Sequence, residues 1–177
     1  MRVRTTALVC TAVLAAATAC ADPGSAATAT GPGAAPASGP TWAVGDAAAV
    51  TKHLLASGLP VKLTAAYTGA DDPERLLGRP RQYVSKAAFD DTRVSNSPLA
   101  KEEAPGHRRD AVSYGGAVEV FATAEDAEAR AGDLGGRQPS PGGGARPDYV
   151  YRSGVVLVRV SHLLTPEQAH AYTRAIR

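Results

Sequence analysis

The sequence predicts an α+β fold: an antiparallel sheet of about five strands with helices packed on one face. Three observations carry it. Short runs with apolar residues at every second position recur along the chain, as half-buried strands require. Two of them, residues 149–152 and 155–161, are separated only by Ser153-Gly154, which is a hairpin spacing. Too few helical segments lie between strand-like runs to supply the crossovers of a parallel sheet.

The elements follow in order. Asp46 precedes a segment in which Ala47, Val50 and Leu54 share a helical face, and Gly58 closes it. Leu59, Val61, Leu63 and Ala65 then alternate as one face of a strand. Residues 69–73 form a turn, with Asp72 capping a single helical turn that has Pro73 at its first position and Gly78 after it. Residues 82–90 read as a strand with Tyr83, Ala87 and Phe89 on one face and Lys86 on the other. Residues 91–113 carry no clear period, contain Pro98, Pro105 and Gly106, and read as a long surface loop. A strand over 116–122 leads to Thr123 and Asp126, which open a helix to about Leu134 in the manner of a capping box. Residues 135–147 form a second loop. Its glycines do not join a strand to a helix, as a phosphate-binding loop would. After the hairpin, Thr165-Pro166-Glu167-Gln168 is a strong helix start, and Ala169, Tyr172 and Ile176 are the buried stripe of the terminal helix.

Ahead of this domain lies a segment with a different character. Arg2 and Arg4 precede an uncharged run rich in Ala, Leu and Val that ends at Ala19. The run is short for a bilayer core, which needs about 20 apolar residues, and fits a signal peptide over 1–19. Ala17 and Ala19 place small side chains before the Ala19-Cys20 bond. Residues 21–40 hold one charge, Asp22, no aromatic residue and no apolar period, so they are expected to be a disordered tether.

Ala17-Thr18-Ala19-Cys20 resembles the lipobox of bacterial lipoproteins, although Ala17 stands where the pattern usually has leucine. The resemblance implies a diacylglyceryl group on Cys20 and a domain held on the outer face of the cell membrane through that lipid anchor. An ordinary secretory peptidase would cut the same bond, which leaves a freely secreted protein as the alternative. Cys10 and Cys20 are the two cysteines of the chain, so the domain over 41–177 has no thiol for a disulfide, a zinc site or a nucleophile. That domain carries 17 Lys and Arg against 16 Asp and Glu. Such a balance argues against a nucleic-acid partner, which calls for a basic stripe.

Asp72-Pro73, Leu77-Gly78-Arg79-Pro80, Tyr83, Ser85-Lys86 and Phe89-Asp90 resemble the opening block of a group of small actinobacterial lipoproteins. Residues 116–121, 149–161 and Leu164-Thr165-Pro166 resemble its second half. The group has no assigned activity. The resemblance implies export and a single domain, and transfers no functional residue.

The domain offers few chemical motifs. There is no S-x-x-K, K-T-G, G-x-S-x-G or H-E-x-x-H, and His53, His107, His162 and His170 form no metal-ligand spacing. No catalytic residue, metal or cofactor is therefore expected. Ser85 beside Lys86 reads as a strand with one polar face, and Arg79, Arg81, Ser85 and Lys86 form a candidate polar surface. Glu119 and Arg159 each interrupt an apolar strand. If the two strands are neighbours, these charges meet across them, as a structural pair or as part of a binding spot. The leading expectation is an extracytoplasmic module that binds a ligand or protein of the cell envelope. An envelope hydrolase or transferase, with Ser85, Lys86, Glu119 and Arg159 converging from separate strands, is the alternative. An inhibitor of a surface enzyme is a third reading.

Overall fold

Each helix begins where the sequence supplies a side-chain acceptor for amides that have no partner inside the helix. Asp46 Oδ1 accepts the Ala49 amide at 2.7 Å and starts α1 (Ala47–Ala56). Ser97 caps the short α2 (Pro98–Glu103), which has proline in its first turn. Thr123 Oγ1 accepts the Asp126 amide at 3.1 Å and starts α3 (Ala124–Gly135). A full capping box between Thr165 and Gln168 starts α4 (Pro166–Ala175). The computed structural model describes residues 39–107, 111–136 and 146–177. The expected signal peptide, Cys20 and nearly all of the expected tether lie outside the described residues, as do positions 137–145 of the expected second loop.

Five strands, β1 (Val61–Ala66), β2 (Ser85–Asp91), β3 (Gly115–Val120), β4 (Tyr149–Ser153) and β5 (Val156–Val160), form one sheet. Its order is β1-β2-β3-β5-β4 and every neighbouring pair is antiparallel. The fold is thus α+β, a five-stranded antiparallel sheet with four helices. β4 and β5 form the expected hairpin, but its two-residue turn is Gly154-Val155 and not Ser153-Gly154, because Ser153 pairs with Val156 and Gly154 takes the positive φ of 54°. The chain reaches the edge strand β4 from the central strand β3 by way of α3, passing the place that β5 later fills.

Both faces of the sheet are covered. Phe89, Val118, Val158 and Val160 point to a cluster with Val50 and Leu54 of α1 and Tyr172 and Ile176 at α4. This is the face on which the sequence places the helices. On the opposite face, Leu157 and Phe121 pack against Ala127 and Leu134 of α3 and against Tyr83. The reason is in β3, whose six residues are all buried, so that neither side of the central strand tolerates water. Close approach at its start requires glycine: a Cβ on Gly116 would lie 2.4 Å from Arg159 O and 2.5 Å from Phe89 Cζ.

Three local expectations change. The expected surface loop 91–113, of which 108–110 lie outside the described residues, contains α2 and leads into a 3-10 turn, Val112–Tyr114, and Val94, Ala100 and Val112 within it are buried. Its prolines and glycine punctuate short packed pieces. In β1 a bulge between Leu63 and Ala65 breaks the alternation. Leu63 stands opposite Phe89 and Ala65 opposite Ala88, which sends Ala65 to the other face and leaves Leu63 36% exposed. Tyr83 does not share a face with Ala87 and Phe89. The chain turns at Arg81, with φ of 61°, and β2 begins only at Ser85, so the Tyr83 ring enters the α3 side.

Candidate functional site

The register decides the fate of the charges flagged in the sequence. Ser85 stands opposite Val120 and Lys86 opposite Glu119, so the serine and the lysine point to opposite faces. Ser85 Oγ accepts the Ala47 amide at 2.9 Å and helps hold the start of α1. Arg79 is exposed on the turn before β2. Arg81, also on the surface, reaches Asp126 at 3.3 Å. No shared polar surface results from these four residues.

Lys86 belongs to a buried cluster. Its Nζ donates to Asp72 Oδ1 at 3.1 Å and to the Tyr83 hydroxyl at 3.3 Å, and Tyr83 donates to Asp72 Oδ2 at 2.7 Å. Asp72 also accepts the amides of Leu76 at 2.8 Å and Leu77 at 3.0 Å, which closes the turn that the sequence assigns to it. Burial by itself would raise the Asp72 pKa. The bonds from Tyr83, the two amides and Lys86 outweigh it and hold the carboxyl well below its usual range. Burial, and then the bond to Asp72, pushes the Tyr83 phenol up.

Glu119 and Arg159 do lie on neighbouring strands and on the same face, because Glu119 stands opposite Leu157 and Arg159 opposite Ala117. They do not bond to each other. Arg130 of α3 donates to both oxygens of Glu119, Nε at 3.0 Å and Nη2 at 2.9 Å, and its Nη2 also bonds Glu74. Arg159 lies 4.0 Å from Glu74 and 3.9 Å from Asp148. Glu74 therefore stands between the two arginines. Lys86, Asp72, Glu119 and Arg130 are each no more than 5% exposed, so this layer is an internal, charge-balanced support under α3.

A second buried bridge lies on the other face. Asp91, fully buried, accepts from Arg93 Nε at 2.9 Å and Nη2 at 2.5 Å, and from the Tyr172 hydroxyl at 2.6 Å. It ties the end of β2 to α4. Burial, and then the neighbouring Asp91 charge, raises the Tyr172 phenol.

Arg93 also lines one of two adjoining surface depressions beside α4 that share Arg174 and together form the α4 groove. One part, of about 590 Å³, lies between Trp42, His53, Arg93, Arg174 and Arg177. The other, of about 500 Å³, lies between Tyr149, Tyr151, Pro166, Glu167 and His170, and Arg174 lines both. His53 Nε2 faces the Ala175 carbonyl at 3.1 Å, and its ring stacks on Trp42 with centroids 4.0 Å apart. A basic residue at a helix C-terminus is a common way to serve the last carbonyls. His53 does that here. Arg174 and Arg177, like the Arg75, Arg79 and Arg146 side chains elsewhere on the surface, have no carboxylate or side-chain acceptor among the described residues, whereas Arg81, Arg93, Arg130, Arg152 and Arg159 each face one. No Asp or Glu side chain lines the Trp42 part. The buried Trp42 Nε1 also lacks an acceptor.

The sequence shows little sign of this groove, since its residues come from the chain before α1, α1, the turn after β2, β4 and α4. One signal for it was present. Glu167, His170, Arg174 and Arg177 form the polar stripe opposite Ala169, Tyr172 and Ile176.

His107 and His162 have structural partners. In a cleft of about 490 Å³ beside α2, His107 Nε2 lies 2.9 Å from Asp90, and its ring stacks on Tyr114 at 3.9 Å. Both contacts pin the segment after α2. His162 lies 3.2 Å from Asp148 and 2.9 Å from Glu103, tying α2 to the start of β4. Among the described residues no group of three or more His, Cys, Asp or Glu is placed to hold a metal ion, and no helix is long and apolar enough to cross a membrane. Compared with known proteins, the chain matches no family model, no curated protein and no solved structure.

Proposed function

We propose that this protein is a lipid-anchored, extracytoplasmic binding module that holds an anionic ligand of the cell envelope in the groove along α4. The observation that carries the reading is the pair Arg174 and Arg177, two cations with no Asp or Glu partner among the described residues, beside Trp42 in the part of the groove whose lining includes no acidic side chain. Unpaired guanidinium groups there favour carboxylate or phosphate.

The location fits the anchor. Thr41 donates its amide to Arg177 O at 2.8 Å, so the chain joins the domain at the rim of the groove. Twenty residues separate Thr41 from Cys20, the residue expected to carry the lipid.

The binding reading is favoured over a hydrolase or transferase because Ser85 and Lys86 face apart and Glu119 is bonded to Arg130. Binding to isolated envelope material tests the proposal. The full chain is expected to cosediment with it in a salt-dependent way, and R174E/R177E to release it. Equal retention of that variant would refute the groove as the binding surface.

A further inference from the structure

The groove has two chemistries that meet at Arg174. On one side, Tyr149 and Tyr151 are alternate residues of the edge strand β4 and share a face. Their rings are 4° from parallel with centroids 6.4 Å apart, and both remain partly exposed. Glu167 and His170 stand beside them as hydrogen-bonding groups. On the other side lie Arg93, Arg174 and Arg177.

Tyrosine presents an apolar ring face and a polar hydroxyl. A pyranose has the matching character: a C–H face without donors and a rim of hydroxyls. Pockets of several hundred Å³ with few convergent polar groups hold such ligands. Arginine matches carboxylate or phosphate by its planar, two-pronged donor edge. Tyr149 and Tyr151 also pack against the core and the Tyr149 hydroxyl bonds Leu164 O, but a free anion or a lipid headgroup would use the arginines and leave the exposed parts of the tyrosine rings uncontacted. A neutral sugar would do the reverse.

We propose that the ligand of the groove is an anionic glycan, with sugar rings on Tyr149 and Tyr151 and acidic groups at Arg174 and Arg177. This rests on the binding reading above and adds the ligand class. Trp42, the single tryptophan of the chain, lines the cationic part and reports on it.

The test titrates the full chain in detergent with three probes, following Trp42 fluorescence and the heat of binding. The probes are hexagalacturonate, an anionic glycan; maltohexaose, a neutral one; and tripolyphosphate, an anion without sugar. Hexagalacturonate is expected to bind saturably, and the other two at least about tenfold more weakly. R174Q and Y151L should each weaken hexagalacturonate binding by about tenfold while unfolding at the wild-type temperature. If Y151L does not fold, the ranking of probes on the wild-type chain decides alone.

Tripolyphosphate binding as tightly as hexagalacturonate would overturn the glycan class and leave the anion groove standing. Equal binding of maltohexaose would overturn the requirement for acidic groups. If no probe binds while envelope material still depends on Arg174 and Arg177, the glycan class falls and the binding reading survives. If envelope binding is also indifferent to those arginines, both fall.

Discussion

Arg130 holds Glu119 through two hydrogen bonds, of 3.0 and 2.9 Å, across the interface between α3 and the sheet. The pair is buried, and Glu74 shares the same guanidinium. Removing one partner leaves an uncompensated charge where water does not reach. R130M is expected to cost about 3–5 kcal/mol of stability, and E119L/R130M less than R130M, because the double change removes the stranded carboxylate. Urea unfolding of the two variants measures this. A double variant less stable than R130M would show that the Glu119 charge is not the source of the loss.

Asp72 makes acid unfolding predictable in sign. Its folded pKa is depressed, so its contribution is complete above the unfolded value of about 3.9 and is lost as pH falls toward the folded value. D72N should be less stable than wild type at pH 7, and the gap should narrow below pH 4. Urea midpoints across that range check it, and a gap constant with pH would contradict the assignment.

Tyr172 acts at the opposite end of the pH scale. Its phenol is raised by burial and by Asp91, so its stabilisation is present below the ordinary value of about 10 and fades above it. Y172F also removes a 2.6 Å bond to a buried carboxylate, at a cost of about 1–3 kcal/mol near neutrality. Thermal melts should show a smaller alkaline loss for Y172F than for wild type above pH 10. Identical alkaline limbs would count against the bond.

Gly116 tests the packing of the central strand. G116A forces a methyl group into Arg159 O and the Phe89 ring, and β3 must separate from one neighbour to admit it. The variant is expected to lose its cooperative thermal transition. An alanine variant that melts like wild type would mean that these strands are farther apart.

Local features of the fold were legible because their chemistry is local. Thr165 and Gln168 cap each other three residues apart, and Gly154 marks a hairpin turn, although the turn falls at Gly154-Val155, one residue later than expected. Glu119 was recognisable as an anomaly inside an apolar strand. Its partner was not, since Arg130 sits in an ordinary charged helix and becomes internal only when α3 docks. The bridge from Asp91 to Tyr172 spans 81 positions and leaves no periodic trace. The groove is harder still, because α1, α4, the chain before α1 and the turn after β2 must all be in place. Only its polar stripe on α4 was readable.

The indole N–H of Trp42 gives one NMR signal, since the chain has one tryptophan, and it reports directly on the groove. Purified envelope polymer added to the isotope-labelled full chain is expected to shift that signal together with His53, Tyr151 and Arg174, while His107 and Lys101 in the cleft beside α2 stay unmoved. Shifts centred on His107 and Lys101, or none at saturating polymer, would contradict the assignment of the α4 groove as the binding site.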